Sequence, residues 1–417
     1  MNGTVFEHVI TGAGCAGLSL VWHLLEAGVS SPILMIDSRE SYRNDRTWCY
    51  WRVEPTPFDD LADHSWNKWE VHAHSNLQAT GASDKYPYLH LRSDAFYNRV
   101  LERIAAAPQV KLVLGEQIRH YRVEGDLVIL DTTGGEYRGR RVFDSTGMIN
   151  GSHGEVRRRV AIDSGSNGRR GRWLQHFLGQ RIQVNRPVFQ TDRIRLMDHR
   201  VDQTRGPHFI YLLPYSETTA LIENTYFFNA PRSPFEHRAE IGHYLGESFG
   251  LGRDDYEVLG EESGRIPMGV AATEPVQPGG PSIDERVIPI GIPGGAARAA
   301  TGYAFLRIQR QSREIATRLV RGRRLGSIRL SFGSSKYRLF DQIMLDALVR
   351  SPELAPLFFA ILFKDANPGS VVRFLTEKSN LLDDLEVMAA LLKPDLVRML
   401  FRLTRSGNPS PLLSPQE

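Results

Sequence analysis

A chain of 417 residues is too long for one compact lobe and, at roughly 150 residues per domain, divides into two or three. Hydrophobic residues at 41% and charged residues at 24% exclude wholesale disorder, and a net charge of +3 argues against a nucleic-acid partner. Cys15 and Cys49 are too few for a disulfide scaffold or a cysteine-ligated zinc domain and point to a reduced, cytoplasmic setting.

In chain order, Val5 to Ile10 reads as a buried strand, Ala16 to Gly28 as a helix with a leucine-rich face, and Ile33 to Ile36 as a second strand stopping at Asp37. A helix is expected over Arg92 to Ala107, capped by Ser93 or Asp94. Strands follow at Val110–Leu114, Gln117–Val123, Leu127–Asp131 and Arg141–Asp144. The Gly-, Ser- and Arg-rich stretch from Gly147 to Asn167 marks a boundary, and Phe189 to Tyr226 returns to strand patterning. Gln277 to Pro281 is a loop, Val287 to Ile290 a strand, and Thr301 to Leu319 a helix. The expected division is 1–150 for a nucleotide-binding segment with insertions, 151–280 for a mainly substrate-binding domain and 281–320 for a final nucleotide-binding segment. A helical region at 321–405 and a tail at 406–417 complete it.

Met1 to His8 lacks the basic start of a signal peptide. The longest apolar run, Leu354 to Phe363, falls short of the roughly 18 residues that span a bilayer. That run and Leu385 to Leu392 nevertheless offer apolar surface for peripheral contact with the cytoplasmic membrane face. The basic stretch Arg157 to Arg172 offers contact with anionic lipid.

Gly12-Ala-Gly14-Cys-Ala-Gly17 is a G-x-G-x-x-G between a strand and a helix, and Asp37 follows twenty positions after Gly17. In that context Gly12 makes the tight turn, Gly14 admits a pyrophosphate, Gly17 lets helix and sheet pack, and Asp37 accepts from ribose hydroxyls. The partner strand Val142-Phe-Asp144 arrives some 130 residues later, and a third segment, Ile288-Pro-Ile-Gly291-Ile-Pro-Gly294-Gly295, later still. A nucleotide lobe split this way resembles the glutathione-reductase-type FAD fold. The expected class is therefore α/β: a Rossmann-like FAD-binding fold with an inserted β-rich substrate domain and a helical C-terminal region. Gly12, Gly14, Ala16, Gly17, Asp37, Arg92, Gly291, Gly294 and Gly295 form the expected cofactor set. No second G-x-G-x-x-G is present, so no separate NAD(P) domain is expected.

Read together, further motifs resemble the bacterial flavoprotein lycopene cyclase family. They are Asn44 to Trp51, Leu196-Met-Asp198-His-Arg200, Ile210 to Pro214 with Ala220-Leu-Ile-Glu223-Asn-Thr225, Glu261 to Met268, and Gly294 to Phe305. The resemblance implies a non-redox cyclisation of a linear polyene such as lycopene to a β-ionone ring, with reduced FAD bound and NAD(P)H as its reductant. Glu223 matches the proton donor. The sequence departs from many relatives at Asn224, where a second acidic residue is usual, and at Ala297 to Ala300.

Protonating an alkene requires a carboxylic acid kept neutral in an apolar setting. Glu223 suits this, since it ends the run Ala220-Leu-Ile222 and precedes Tyr226, Phe227 and Phe228. Trp48, Trp51, Tyr226 and Tyr303 are candidates to line a polyene pocket and stabilise a cation through their rings. The scattered histidines show no zinc spacing, and no metal is expected. An FAD-dependent monooxygenase, a cyclase acting on another polyprenyl product and a carotenoid carrier remain alternatives. The monooxygenase reading lacks its usual Gly-Asp, because Ile290 precedes Gly291.

Overall fold

The computed structural model describes residues 4–73, 77–150, 156–158, 174–228, 230–269, 286–323, 325 and 335–392. The basic stretch from 159 to 172, the loop 277–281 and the tail 406–417 lie outside the described residues.

The chain begins with β1 (Val5–Thr11), α1 (Cys15–Glu26), β2 (Ile33–Asp37) and β3 (Thr47–Trp51). Strands β4 (His64–Trp66), β5 (Lys68–His72), β6 (Gln78–Ala82) and β7 (Tyr88–Arg92) lead to α2 (Ser93–Ala105). Next come β8 (Val110–Leu114), β9 (Ile118–Glu124), β10 (Leu127–Thr132), β11 (Glu136–Asp144), β12 (Met148–Asn150) and β13 (Val156–Arg158). The long strands β14 (Leu174–Val184), β15 (Ile194–Asp198), β16 (His208–Pro214) and β17 (Thr219–Phe228) precede α3 (Pro234–Phe249) and β18 (Tyr256–Pro267). The chain continues through β19 (Val287–Pro289), α4 (Phe305–Val320), α5 (Ser335–Arg350), α6 (Ala355–Asp365), α7 (Pro368–Leu375) and α8 (Leu381–Leu391).

These elements form two compact units. The first comprises 1–48, 91–170 and 270–335; the second comprises 49–90, 171–269 and 336–417. Residues 49–90 are thus an insertion that belongs with 171–269 and 336–417.

The first unit holds a sheet in the order β8-β2-β1-β11-β10-β9, with β19 joined to β11. Strands β8, β2, β1, β11 and β19 run parallel, and β9 and β10 pair antiparallel. Strand β1 alternates little because both of its faces are covered, and Val9 and Ile10 are fully buried. The chain leaves β1 for β2 on one side and reaches β11 on the other, so the carboxyl end of β1 is a switch point of the kind where open α/β sheets bind ligands.

The second unit is built on a sheet in the order β18-β14-β17-β16-β15-β5-β6. Helix α3 packs on one face, where Leu178, Ile182, Ile210, Leu212, Ala220 and Ile222 meet Ile241, Tyr244 and Leu245. The apolar run Leu354 to Phe363 forms α6, which contacts β5 and β6 and buries Leu354, Phe359, Ile361, Leu362 and Phe363. It is core of this unit, so its expected role as membrane-facing surface is corrected.

Three further differences have local reasons. Strand β14 lacks a clear alternating pattern because Gln175, His176 and Gln180 are buried alongside its apolar residues. Helix α3 does carry a sequence signal, a capping box in which Ser233 accepts from the Glu236 N–H and the Glu236 carboxylate reaches back to the Ser233 N–H. Helix α2 is capped by neither Ser93 nor Asp94: Arg92 is its N-cap. The Ser93 hydroxyl instead accepts from the backbone N–H groups of Asp45 and Arg46, and Asp94 takes the Arg92 guanidinium.

Candidate functional site

The first unit shapes the turn after β1 for a phosphate group. Gly12 has φ +86°, and a Cβ there would lie 2.2 Å from Ser145 Oγ. A Cβ on Gly17 would lie 2.0 Å from the Gly12 carbonyl oxygen, so α1 could not seat on the turn with any other residue. Gly14 differs: its Cβ position meets only Arg39 Nη2, at 3.8 Å. That open side faces a helix start with no side-chain cap, where backbone N–H groups and the helix dipole favour an anion.

Asp37 and Tyr42 clamp the turn. Ala13 N–H donates to Asp37 Oδ2 at 2.6 Å, and Tyr42 Oη donates to the Ala13 carbonyl at 3.0 Å. Asp37 Oδ1 accepts from the Arg39 N–H, which leaves each carboxylate oxygen a further lone pair for a ribose hydroxyl. Arg39 lies over the rings of Tyr42 and Tyr97 and adds a cation beside the turn. The third segment returns to the same place. Gly291, at φ +63°, would put a Cβ 2.6 Å from Ala16 Cβ, and Gly294 one 2.4 Å from the Pro289 carbonyl oxygen. Gly295 has φ +80°. These residues fit a dinucleotide. Arg92 lies at the start of α2, where Asp94 holds it, and Arg39 and Tyr42 are additional residues of the turn.

The second unit places Glu223 in the middle of its sheet, on β17 between β14 and β16. Residues opposed on neighbouring strands share a face, so the pairings Glu262–Gly179, Gly179–Glu223 and Glu223–Tyr211 form one row. The next row holds Gly264, Phe177, Thr225 and Phe209. Gly264 on this face admits the Phe177 ring, which would lie 2.5 Å from a Cβ there, and Phe209 packs edge-on against Tyr211 and Phe227. Glu223 is half-buried and accepts from Thr225 Oγ1 at 3.0 Å. Burial, reinforced by the negative charge of Glu262 and only partly opposed by the Thr225 hydrogen bond, pushes its carboxyl up to about 8. At neutral pH Glu223 therefore holds a proton.

Asn224 and Tyr226 point the other way. Asn224 Nδ2 donates to Glu240 Oε2 at 2.6 Å, and its Oδ1 meets His208. Tyr226 stacks on His208 and His176 and donates to Glu240 Oε1 at 3.0 Å. Tyr226, expected beside Glu223, thus packs beneath α3 on the opposite face, because side chains alternate along a strand. Trp51 is 1% exposed and packs edge-on against Trp69 and Tyr88, so it is core of the second unit rather than pocket lining. Trp48 stacks on Phe305 in the first unit, where Tyr303 precedes α4.

Cys49 belongs to the second unit, and burial, with the charges of Glu262, Glu223 and Asp63, pushes its thiol well up. Asp63, His64 and His90 bring potential metal-ligand atoms within 4.8 Å of one another. His90 is already held between Asp63 and the Tyr215 hydroxyl.

The sequence pattern of the lycopene cyclase family, described as "Lycopene cyclase protein", matches residues 7–399. This chain belongs to that family. Among its relatives are a chloroplastic neoxanthin synthase of Solanum tuberosum, 26% identical over 80% of this chain and 64% of the relative, and a lycopene beta-cyclase of Pseudescherichia vulneris, 27% identical over 54% and 52%. The chain matches less than two thirds of the length of these relatives. Its fold is similar to a geranylgeranyl bacteriochlorophyll reductase-like protein of Thermoplasma acidophilum (TM-score 0.59, 12% identity, 96% of this chain and 99% of that one). It is also similar to a flavin-dependent brominase (TM-score 0.58, 16% identity, 97% and 100%). The family member at hand thus has the α/β fold expected of it, and its second acidic position is Asn224, turned away from Glu223.

Proposed function

We propose that this chain cyclises the end of a linear polyene of the lycopene type by proton transfer, without net redox change. The observation that carries the reading is Glu223: a carboxyl group that burial and the nearby Glu262 raise to about 8, on a sheet face of aromatic and aliphatic side chains. It delivers its proton to the terminal alkene. The neighbouring alkene attacks the resulting cation and closes the ring, and loss of a ring proton restores the alkene and, on the Glu223 carboxylate, the acid. Atoms balance, so the product is an isomer.

The other side chains of this face keep the cation from being trapped. Phe209, Tyr211 and Phe227 surround it with aromatic rings and bring no strong nucleophile. The Cys49 thiol stays protonated and weakly nucleophilic. In the first unit, Gly12, Gly14, Gly17, Asp37 and Arg39 are the residues to hold FAD. When bound there in its reduced form, the flavin would be electron-rich and anionic, with NAD(P)H the proposed source of its electrons.

We also propose peripheral contact with the cytoplasmic membrane face, where a lipophilic polyene resides. No helix among the described residues is long and apolar enough to cross a membrane. Helix α8, however, turns Asp383 and Asp384 inward to Arg373 and Lys336 while Leu381, Leu382, Leu385 and Leu392 are 61–78% exposed. Such a leucine surface favours an interface. Cosedimentation with liposomes checks it, and loss of binding on replacing these leucines by serine is the expected result.

The decisive experiment is anaerobic incubation of FAD-reconstituted protein with lycopene and chemically reduced flavin, with products separated by chromatography. A ring-closed isomer is expected. Product that requires oxygen overturns the reading in favour of a monooxygenase.

A further inference from the structure

We infer that Glu262 is the second carboxyl group of the proton-donating site, a positioning residue that shares and retains the proton of Glu223. The inference rests on the reading of Glu223 as proton donor. Its geometric basis is the register of three strands. Gly179 on β14 is opposed by Glu223 of β17 on one side and by Glu262 of β18 on the other. The two glutamates therefore leave the sheet on the same face, two strand spacings or about 9.6 Å apart at their backbones. Side chains of this length bridge much of that gap when nothing stands between them.

Gly179 supplies the gap. A Cβ at this position would lie 3.2 Å from Leu221 Cδ1 and 3.5 Å from both Cβ and Cγ of Glu223, so any side chain there would crowd the space between the two carboxyl groups. The neighbouring acid is separated by the same alternation. Gln180 and Arg238 of α3 bind Glu261 on the opposite face, which leaves Glu262 as the acid directed to Glu223. A second carboxylate disfavours ionisation of the first, and this is how a paired acid keeps its proton at neutral pH. The mutual charge effect of Glu262 on Glu223 agrees with this geometry.

Several other groups share the surroundings and are candidates to modulate the pair. Thr225 donates to Glu223 from β17, and Tyr211 adjoins it from β16. Arg181 occupies the next row of β14 opposite Gly260. The Cys49 thiol and the Tyr215 hydroxyl both feel the charges of Glu262 and Asp63.

The test is a pH titration of the protonated-carboxyl band by infrared difference spectroscopy on the full FAD-loaded chain, with the cyclisation rate followed over the same range. Glu223→Gln identifies the band by removing it. In Glu262→Gln the midpoint, near 8 in the unaltered protein, is expected to fall by about one pH unit, and the alkaline limb of the rate profile to follow it. Glu262→Asp keeps the charge and should restore most of the midpoint. An unchanged midpoint in Glu262→Gln, or an equal shift in Glu262→Asp, overturns the inference. Because the infrared midpoint needs no substrate, a shifted midpoint in a protein that cyclises no polyene would sink the cyclase reading and leave the carboxyl pair standing.

Discussion

Glu223 and Asn224 are neighbours in sequence, yet they work on opposite faces of one sheet. On the Glu223 face, glycines and aromatic rings surround a carboxyl group that burial and Glu262 keep protonated. On the Asn224 face, burial also disfavours the charge of Glu240, but donors from Arg232, Asn224 and Tyr226 outweigh it and hold that carboxyl below its ordinary value. The same residue type is an acid reservoir where it is deeply enclosed and short of donors, and a structural anion where it is less enclosed and well supplied with them. Depth of burial and the supply of donors together set which carboxyl group keeps its proton.

The largest expected effect comes from the Glu223 face. Glu223→Gln should lower cyclisation by about 10²–10⁴-fold while flavin binding persists, because an amide cannot release the proton. The same variant should melt at a higher temperature than the unaltered protein at alkaline pH. A carboxyl group whose folded value is raised to about 8 destabilises the fold as pH rises from its unfolded value toward 8, and the amide removes that penalty. Scanning calorimetry at acid and alkaline pH checks it.

A second effect needs no mutation. Cyclisation with the flavin kept reduced should fall by about tenfold per pH unit above the Glu223 midpoint near 8, as the acid form is lost. A flat rate from neutral to strongly alkaline pH would remove Glu223 as the acid.

The opposite face should answer in stability rather than rate. Asn224→Asp replaces the donor to Glu240 with a second carboxylate and should cost about 1–3 kcal/mol at neutral pH, with the rate per folded molecule unchanged. A rate gain would mean that position 224 communicates with the Glu223 proton through the sheet. Tyr226→Phe should have the smallest effect, about 1 kcal/mol for the lost hydroxyl bond to Glu240, with product formation intact. Urea unfolding curves beside turnover measurements separate the two kinds of response.

The nucleotide turn was legible because its determinants are local. The strand, the three glycines and the helix lie within 22 residues, and only Asp37 comes from the next element. Arg39 and Tyr42 escaped notice because nothing in their spacing says that a guanidinium and a phenol fold back onto residues 13 and 14. In the second unit, Glu223 itself was visible through its apolar run and the family motif. Tyr226 was expected beside Glu223 from its nearness along the chain, whereas a strand sends alternate residues to opposite faces. The sequence of its segment does not show that Trp51 packs into the core against Trp69 and Tyr88.

Sequence alone determined the parts governed by short-range sterics and hydrogen bonding: the glycine turn, the parallel strands around it and the helical character of the last segment. Tertiary structure decided everything that depends on strand register. It paired Gly179 with Glu223 and Glu262 across three strands, sent Asn224 and Glu261 to α3, and buried the apolar run of α6 against β5 and β6. Register is set by the packing of whole faces, and a shift of one residue would exchange every side chain between them. That is why the chemistry of a proton held between two strands is written in the pairing and not in the motif.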